Sequence, residues 1–289
     1  MERLFKKNLE KRSSVKSKKM TENSEDSFNK INNGGRLEII YYTDPLCCWS
    51  WAFEPQWRRL RYEFGSNINW RYRMGGLISG WKEFNDPFNS ISRPAQMGPL
   101  WMEASHISGM PIDNTIWIKD YPYSSYPACI AFKCAEIQSP EAAEQYLRLL
   151  REAVMLNGLN IAKEEVLLRL ANELESKSPF DFNAKIFVRD LQSGAGQKMF
   201  LEDLKDLRYH QIGRFPSLII KNTDTNKAVI IVGYRPYNVL LEAVFAVAPN
   251  LAPIEMNEEE YKGFWGNVIE REMKEVTKSR SGLKAKMGK

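Results

Sequence analysis

The feature that most constrains this fold is that strand signals stop at about residue 90 and return only after residue 193. Before the gap, residues 37–43 (LEIIYYT) form a short apolar run that indicates a buried strand, and residues 68–74 alternate like a second strand. Between these strands, apolar side chains recur at helical spacing, at Phe53, Trp57, Leu60 and Phe64. A helix that ends at Gly65 is expected there, which makes the opening segment a βαβ unit.

The middle and final parts of the chain complete the pattern. Apolar residues at helical spacing predict helices over residues 127–137, 141–156, 163–174 and 195–207. Two short strands follow, at residues 214–221 and 228–232, and residues 239–248 predict a closing helix. The order β-α-β, helical block, α-β-β-α predicts an α/β protein with a thioredoxin-like fold and an all-helical insertion.

This order divides the chain into a domain, an insertion and two tails. Residues 36–90 and 194–253 are expected to form the thioredoxin-like domain, and residues 91–193 the helical insertion domain. Residues 1–35 are typical of a disordered basic tail, and residues 254–289 are expected to add one amphipathic helix and a second basic tail. The apolar residues that predict this last helix are Tyr261, Phe264, Trp265, Val268, Ile269 and Met273.

Composition and charge exclude several classes of protein. With 43% hydrophobic and 27% charged residues, the chain can bury a substantial core. The net charge of +5 is concentrated in the two tails, so a nucleic-acid-binding role is not expected. The longest apolar run, residues 239–249, contains Glu242 and is too short to span a membrane. Because no apolar segment follows the basic N-terminus, there is no signal-peptide pattern, and we expect a cytoplasmic protein.

The most informative segment for chemistry runs from Asp44 to Trp51 and reads DPLCCWSW. It places Cys47 directly after a buried strand, at the expected start of a helix. Unpaired N–H groups and the helix dipole stabilise an anion at such a position, so they favour the thiolate form of cysteine. We therefore predict that Cys47 is a partly exposed nucleophile.

The remaining cysteines and the histidines are weaker candidates. Cys129 and Cys134 are five residues apart on a predicted helix and do not share a face, which favours two buried structural thiols over a redox pair. His106 and His210 are the only histidines and do not have the spacing of metal ligands. No metal site is expected.

The segment around Cys47 resembles the active site of the DsbA-like branch of the thioredoxin superfamily, which includes the FrnE-type dithiol-disulfide isomerases. In that family a strand runs into D-P-x-C-P-W-C-(Y/W), where Cys47 corresponds to the first cysteine and Trp49 to the tryptophan. The resemblance spans about residues 37–250 and continues at residues 126–128 (YPA) and 149–153 (LLREA). It implies that Cys47 is the catalytic residue and that Trp49 contacts the substrate.

Residues 213–216 (GRFP) resemble the cis-proline loop that faces the active site in the same family. If the Phe215–Pro216 bond is cis, as the resemblance implies, the backbone N–H and C=O of Phe215 face Cys47 and can bind an extended peptide or glutathione. Phe215 and Pro216 are then substrate-binding residues. The alternative is an ordinary trans proline before an edge strand.

Ser50 departs from the family motif, because it occupies the place of the second cysteine. A dithiol oxidase needs a thiol there to resolve a mixed disulfide, and a serine hydroxyl cannot do this. The Ser50 hydroxyl can still hydrogen-bond a Cys47 thiolate. Cys48 is a weaker alternative as the resolving thiol, since a disulfide between adjacent residues closes a small strained ring. The expected chemistry is therefore monothiol, with glutathione as an external co-substrate and without a bound cofactor.

Three functions are compatible with these residues. The first is a cytoplasmic thiol-disulfide oxidoreductase or isomerase that acts on protein or glutathione disulfides through Cys47 and Ser50. The second is a binding protein, because DPLC followed by WAFEP also resembles the start of YjbH-type adaptors, which deliver a client protein to an ATP-dependent protease. The third is a glutathione-dependent isomerase or transferase, similar to kappa-class transferases and hydroxychromene carboxylate isomerases. We rank them in this order, and the sequence specifies neither substrate nor client.

Overall fold

The computed structural model describes residues 37–177 and 182–277. The predicted basic tail at residues 1–35 and the end of the second tail, from residue 278 onward, lie outside the described residues. Among the helices within the two described ranges, none has the length and apolar character needed to cross a bilayer.

A four-stranded mixed sheet lies at the centre of the fold. Its strands are β1 (Leu37–Thr43), β2 (Ile68–Met74), β3 (Ser217–Asn222) and β4 (Ala228–Val232). Their order across the sheet is β2-β1-β3-β4, in which β1 and β2 are parallel and the other two pairs are antiparallel. The sheet therefore joins the strands from before the helical gap to the strands from after it.

Strand β1 is covered at both edges by neighbouring strands, and both of its faces are buried because helices lie above and below the sheet. Ile39 and Tyr41 face the larger hydrophobic core, whereas the alternate residues Ile40 and Tyr42 face a smaller cluster on the opposite side of the sheet. A strand that is covered on both faces reads as a continuous apolar run, as LEIIYYT does.

The helices surround this sheet and form the block between β2 and β3. In chain order they are α1 (Cys48–Ala52), α2 (Glu54–Phe64), α3 (Met97–Ser108), α4 (Ile116–Lys119), α5 (Tyr126–Gln138), α6 (Pro140–Met155), α7 (Glu164–Lys177), α8 (Ala184–Gln192), α9 (Ala195–Tyr209), α10 (Tyr237–Val247), α11 (Glu258–Trp265) and α12 (Glu270–Thr277). Helix α9 returns the chain to the sheet by packing against β2 and α5, and α10 packs against β3 and β4. This is the topology of the predicted thioredoxin-like fold.

The single helix predicted after β1 is divided into α1 and α2 in the structure. Helix α1 ends at Ala52 and α2 begins at Glu54, with Phe53 between them. Pro55 lies in the first turn of α2, where its missing N–H is tolerated and its fixed φ favours a new helix. Cys47 therefore precedes a helix of five residues.

The prediction of one helix across residues 261–273 is wrong, because the structure has two. Helix α11 ends at Trp265 and α12 begins at Glu270. Gly266 between them has a φ of 67°, in the left-handed region that glycine adopts readily and that ends helices. The turn allows α12 to pack against α2.

Candidate functional site around Cys47

Cys47 lies in the turn between β1 and α1, at the N-cap of the helix. Its N–H donates to the Asp44 carbonyl at 3.1 Å, which closes the turn, and its own carbonyl accepts the Trp51 N–H at 3.1 Å as the first bond of the helix. Its predicted place at the end of a buried strand and the start of a helix agrees with this geometry.

The side chain of Asp44 holds this turn against two other segments. Its carboxylate accepts the Leu46 N–H at 2.8 Å and, from the loop after β2, the Leu77 N–H at 2.7 Å. It also accepts the Ser125 hydroxyl at 2.9 Å and the Cys129 thiol at 3.3 Å, just before and within α5. Burial raises the pKa of Asp44, against the effect of the two N–H donors. Asp44 thus joins the Cys47 turn to the helical insertion, a role that sequence reasoning missed.

The loop before β3 forms the opposite wall of the site. The Phe215–Pro216 peptide bond is cis, and the Cys47 thiol donates to the Phe215 carbonyl at 3.6 Å. The Phe215 ring lies directly over the backbone of Gly75, where a Cβ atom would be 2.1 Å from the ring. Gly75 is held in turn by its N–H, which donates to the Thr43 carbonyl at 2.7 Å. Only a residue without a side chain fits between β1 and this ring.

The predicted partial exposure of Cys47 is wrong, since only 5% of the residue is accessible to solvent. Burial raises the pKa of the Cys47 thiol above its ordinary value, although the Ser50 hydroxyl and N–H lower it in part. Burial therefore opposes the expected activation of the thiolate, and the helix that follows Cys47 has only five residues to counter it.

Ser50 lies one helical turn after Cys47 and is fully buried. Its Oγ forms no hydrogen bond with any group in the described ranges, so it is not aligned with the neutral thiol. The Ser50 hydroxyl nevertheless lowers the pKa of Cys47 in part, so it favours a thiolate if one forms. The structure thus brings Cys47, Ser50, Phe215 and Pro216 together.

The two residues between Cys47 and Ser50 lie in different environments. Cys48 is buried in the larger core, and burial raises its pKa well above the ordinary value. Trp49 is half-buried, and its ring centroid lies 5.9 Å from that of Tyr234, which follows β4. Trp49 therefore borders the site, whereas Cys48 is a poor resolving thiol in this conformation.

The cysteines of α5 have structural surroundings. Cys129 is bonded to Asp44, and Cys134 packs closely against Gly196 of α9. All four cysteines are buried and free. In the described part of the chain, no group of His, Cys, Asp or Glu side chains is arranged to hold a metal ion.

Beneath the site lies a buried cation that periodicity did not reveal. Arg151 of α6 is fully buried, donates to Glu54 and bonds the Thr43 hydroxyl at 2.5 Å. Its charge slightly favours the Cys47 thiolate. The segment at residues 149–153 (LLREA) drew attention only through the family resemblance. Helical spacing alone would place Arg151 on the solvent side of α6.

The fold and the geometry around Cys47 define a DsbA-like protein of the thioredoxin superfamily. The family model described as Thioredoxin matches residues 41–242. The chain is 30% identical over 217 residues to the ClpXP adapter protein SpxH of Shouchella clausii, covering 74% of this chain and 68% of that protein. It is 29% identical over 221 residues to SpxH of Halalkalibacterium halodurans, covering 75% and 70%. The chain therefore belongs to the thioredoxin family that this model describes, and the SpxH proteins are its relatives.

Solved structures confirm the predicted fold class. A candidate protein disulfide isomerase from Nitrosomonas europaea superposes with a TM-score of 0.61 at 21% identity, covering 73% of this chain and 97% of that one. The cytosolic disulfide reductase DsbM from Pseudomonas aeruginosa superposes with a TM-score of 0.53 at 16% identity, covering 79% and 97%. Both share the fold of disulfide oxidoreductases with this chain.

Proposed function

We propose that this protein is an adaptor that binds a client protein and presents it to the ClpXP protease. The observation that carries the proposal is the environment of Cys47, which is buried, has a thiol pKa raised by that burial, and has a serine where a resolving thiol would be. Such a site retains the architecture of a disulfide oxidoreductase without the groups that sustain turnover. The naming of the SpxH relatives as ClpXP adapters supports the same interpretation. The adaptor hypothesis therefore moves ahead of the enzyme.

The proposal requires a client protein as partner and a cytoplasmic location. It does not require a bound cofactor, a nucleic acid or a membrane. Cys47 then contributes to packing against the Phe215 loop and not to a reaction.

The experiment compares degradation with and without the protein. Proteins whose half-life lengthens when the gene is deleted are candidate clients, and each is purified and mixed with ClpXP. We expect the full chain to bind such a client directly and to accelerate its degradation, and Cys47→Ser to act equally well. Absence of acceleration for every candidate client would contradict the proposal, whereas loss of activity in Cys47→Ser alone would favour the enzyme.

A second function, monothiol disulfide exchange, is favoured by the 3.6 Å contact between the Cys47 thiol and the Phe215 carbonyl. The Cys47 thiolate would attack a substrate disulfide, form a mixed disulfide and release the other sulfur as a thiolate. The glutathione thiolate would then attack the substrate sulfur of this mixed disulfide, displace the Cys47 thiolate and remain on the substrate as a new mixed disulfide. The test is incubation with glutathione disulfide. Mass spectrometry should find one glutathione on Cys47 and none in Cys47→Ser, and Ser50→Cys should raise dithiol oxidase activity.

A further inference from the structure

Strand β4 is the outer strand of the sheet, and half of its backbone groups face away from β3. The Asn222 N–H donates to the Lys227 carbonyl at 2.9 Å, and the Gly233 N–H donates to the Pro216 carbonyl at 2.7 Å. Because antiparallel bonding alternates along a strand, Val229 and Ile231 bond towards β3, whereas Ala228, Ile230 and Val232 point their N–H and C=O groups outward. No described residue outside the sheet bonds to these outward groups.

The same alternate residues expose apolar side chains. Ile230 is 53% exposed and Val232 is 42% exposed, on the face opposite to the one that α10 covers. On this exposed face α9 covers β1 and β2, where Leu207 packs against Ile40, but it does not extend over β4. An edge strand with both an open backbone and apolar side chains is ordinarily covered by another element, and no helix or strand of the described ranges covers the outer edge of β4.

Both ends of β4 carry positive charge. Lys221 lies on the exposed face beside Ala228, and Lys227 directly precedes the strand. Arg235 is exposed shortly after the other end. None of these three cations forms an ion pair with a carboxylate in the described ranges. Glu38 lies opposite Lys221 in the β1–β3 register but pairs with Arg71, and Asp224 lies in the β3–β4 turn.

We propose that the outer edge of β4, with Ile230 and Val232, docks an extended segment of the client protein as a fifth strand. The segment would place alternate apolar side chains on Ile230 and Val232 and acidic side chains beside the flanking cations. The proposal rests on the adaptor function and names the chemistry of its partner. A second copy of this chain fits poorly, because antiparallel pairing of two β4 edges would bring Lys227 of one molecule towards Arg235 of the other.

The probe is a synthetic peptide in which three valines alternate with threonines between two pairs of glutamates. Its matched control carries lysines in place of the glutamates. In the ¹⁵N-labelled full chain, the Ile230 and Val232 amides should exchange freely with water, and the acidic peptide should slow them at least about tenfold while leaving the protected Val229 and Ile231 amides unchanged. Equal binding of both peptides, protection of the two amides in the free protein, or protection at another surface would overturn the proposal.

Variants separate the backbone contribution from the charge contribution. Ile230→Pro removes an outward N–H and should weaken binding of the acidic peptide at least about tenfold. Ile118→Thr, which alters another highly exposed isoleucine, should not weaken it. Lys221→Glu combined with Lys227→Glu should exchange the preference from the acidic to the basic peptide, and this test stands even if the proline variant fails to fold. Unchanged peptide preference in the double variant would refute the charge argument.

The outcome also distinguishes this proposal from the adaptor function. If the acidic peptide binds β4 but no client is degraded faster, the docking strand stands and the adaptor function fails. If client degradation is accelerated equally by the native chain and by Ile230→Pro, the adaptor function stands and the docking strand fails.

Discussion

Two regions of this molecule bury polar groups beside helix α2, and they do so in opposite ways. At the Cys47 site a single thiol is buried without a charged partner in hydrogen-bonding contact, and burial raises its pKa. At the other region, Glu272 of α12 is fully buried between Arg58 and Arg148, with carboxylate-to-guanidinium distances of 2.6 and 2.8 Å. Although burial alone would raise its pKa, the two guanidinium groups hold the pKa of Glu272 below its usual value.

The comparison shows that burial alone does not set the protonation state. A thiol carries no charge, so Cys47 can be buried without a charged partner, and burial favours that neutral form. The carboxylate at Glu272 remains charged because two arginines lie within hydrogen-bonding distance, and it also accepts the Ile269 N–H at 2.8 Å. Removing one partner should therefore be far more damaging in the second region than in the first.

The largest effect is expected from Glu272→Ala. It leaves Arg58 and Arg148 buried without this carboxylate, and breaking a buried pair in this way typically costs about 3–5 kcal/mol of the free energy of unfolding. Urea denaturation measures the loss. The control is Glu270→Ala, which removes an exposed carboxylate paired only with Lys274 in the described ranges and should leave the urea midpoint nearly unchanged. Equal shifts in both variants would mean that the ion pairs at Glu272 contribute little.

A smaller effect is expected from Gly75→Ala. The added Cβ would meet the Phe215 ring at 2.1 Å, so the loop must move, and such overpacking typically costs about 1–3 kcal/mol. Gly263→Ala is the matched control, because its Cβ meets nothing within 4 Å, and alanine within α11 should stabilise the protein by about 0.5–1 kcal/mol. A Gly75→Ala variant as stable as the native chain would show that the Phe215 loop is not fixed by this contact.

Acid should weaken the second region before it affects the first. Because the folded pKa of Glu272 is below its ordinary value of 4.5, the stabilisation is present above that pH and is lost as pH falls through the folded pKa. The difference in Tm between the native chain and Glu272→Ala should therefore narrow below pH 4.5. The effect is smaller than that of the substitution, since a protonated carboxyl still accepts a hydrogen bond. A constant difference down to pH 3 would contradict the assignment.

The smallest effect concerns the rate of alkylation at Cys47. Its folded pKa lies above the ordinary 9.0, so its thiolate fraction at pH 7.5 is below that of an unperturbed cysteine. Iodoacetamide should modify Cys47 more slowly in the folded chain than in urea, and its rate should still increase above pH 9. Mass spectrometry of peptides resolves it from Cys48. An alkylation rate that levels off below pH 7 would instead support the hypothesis that Cys47 is an activated nucleophile.

The strands and helices could be predicted because their periodicity is local. The run at residues 37–43 and the apolar spacing in α6 need no knowledge of distant residues. The position of Cys47 at a helix start was equally accessible, since it depends on a strand and a turn that adjoin it in sequence. These features locate the site.

The state of the site could not be predicted in the same way. The burial of Cys47 depends on Phe215, which is 168 residues away, and on the space that Gly75 leaves for its ring. Periodicity also assigns Arg58 and Arg59 of α2 to a solvent face, whereas α12 covers both of them. The acidic residues of α12, Glu270, Glu272 and Glu275, form too common a pattern to have indicated that this helix packs on α2.

The bond between Arg58 and Glu272 also determines when this side of α2 can become buried during translation. The two residues are separated by 214 positions, so at ordinary rates of translation Arg58 leaves the ribosome about 10–40 s before its partner is made. During that interval Arg58 and Arg59 of α2 lack their contacts with α12 and must remain hydrated. Packing on this flank of α2 is therefore completed only after residue 275 has been made, and a chain that stops before residue 270 leaves Arg58 and Arg59 without the partners that α12 supplies.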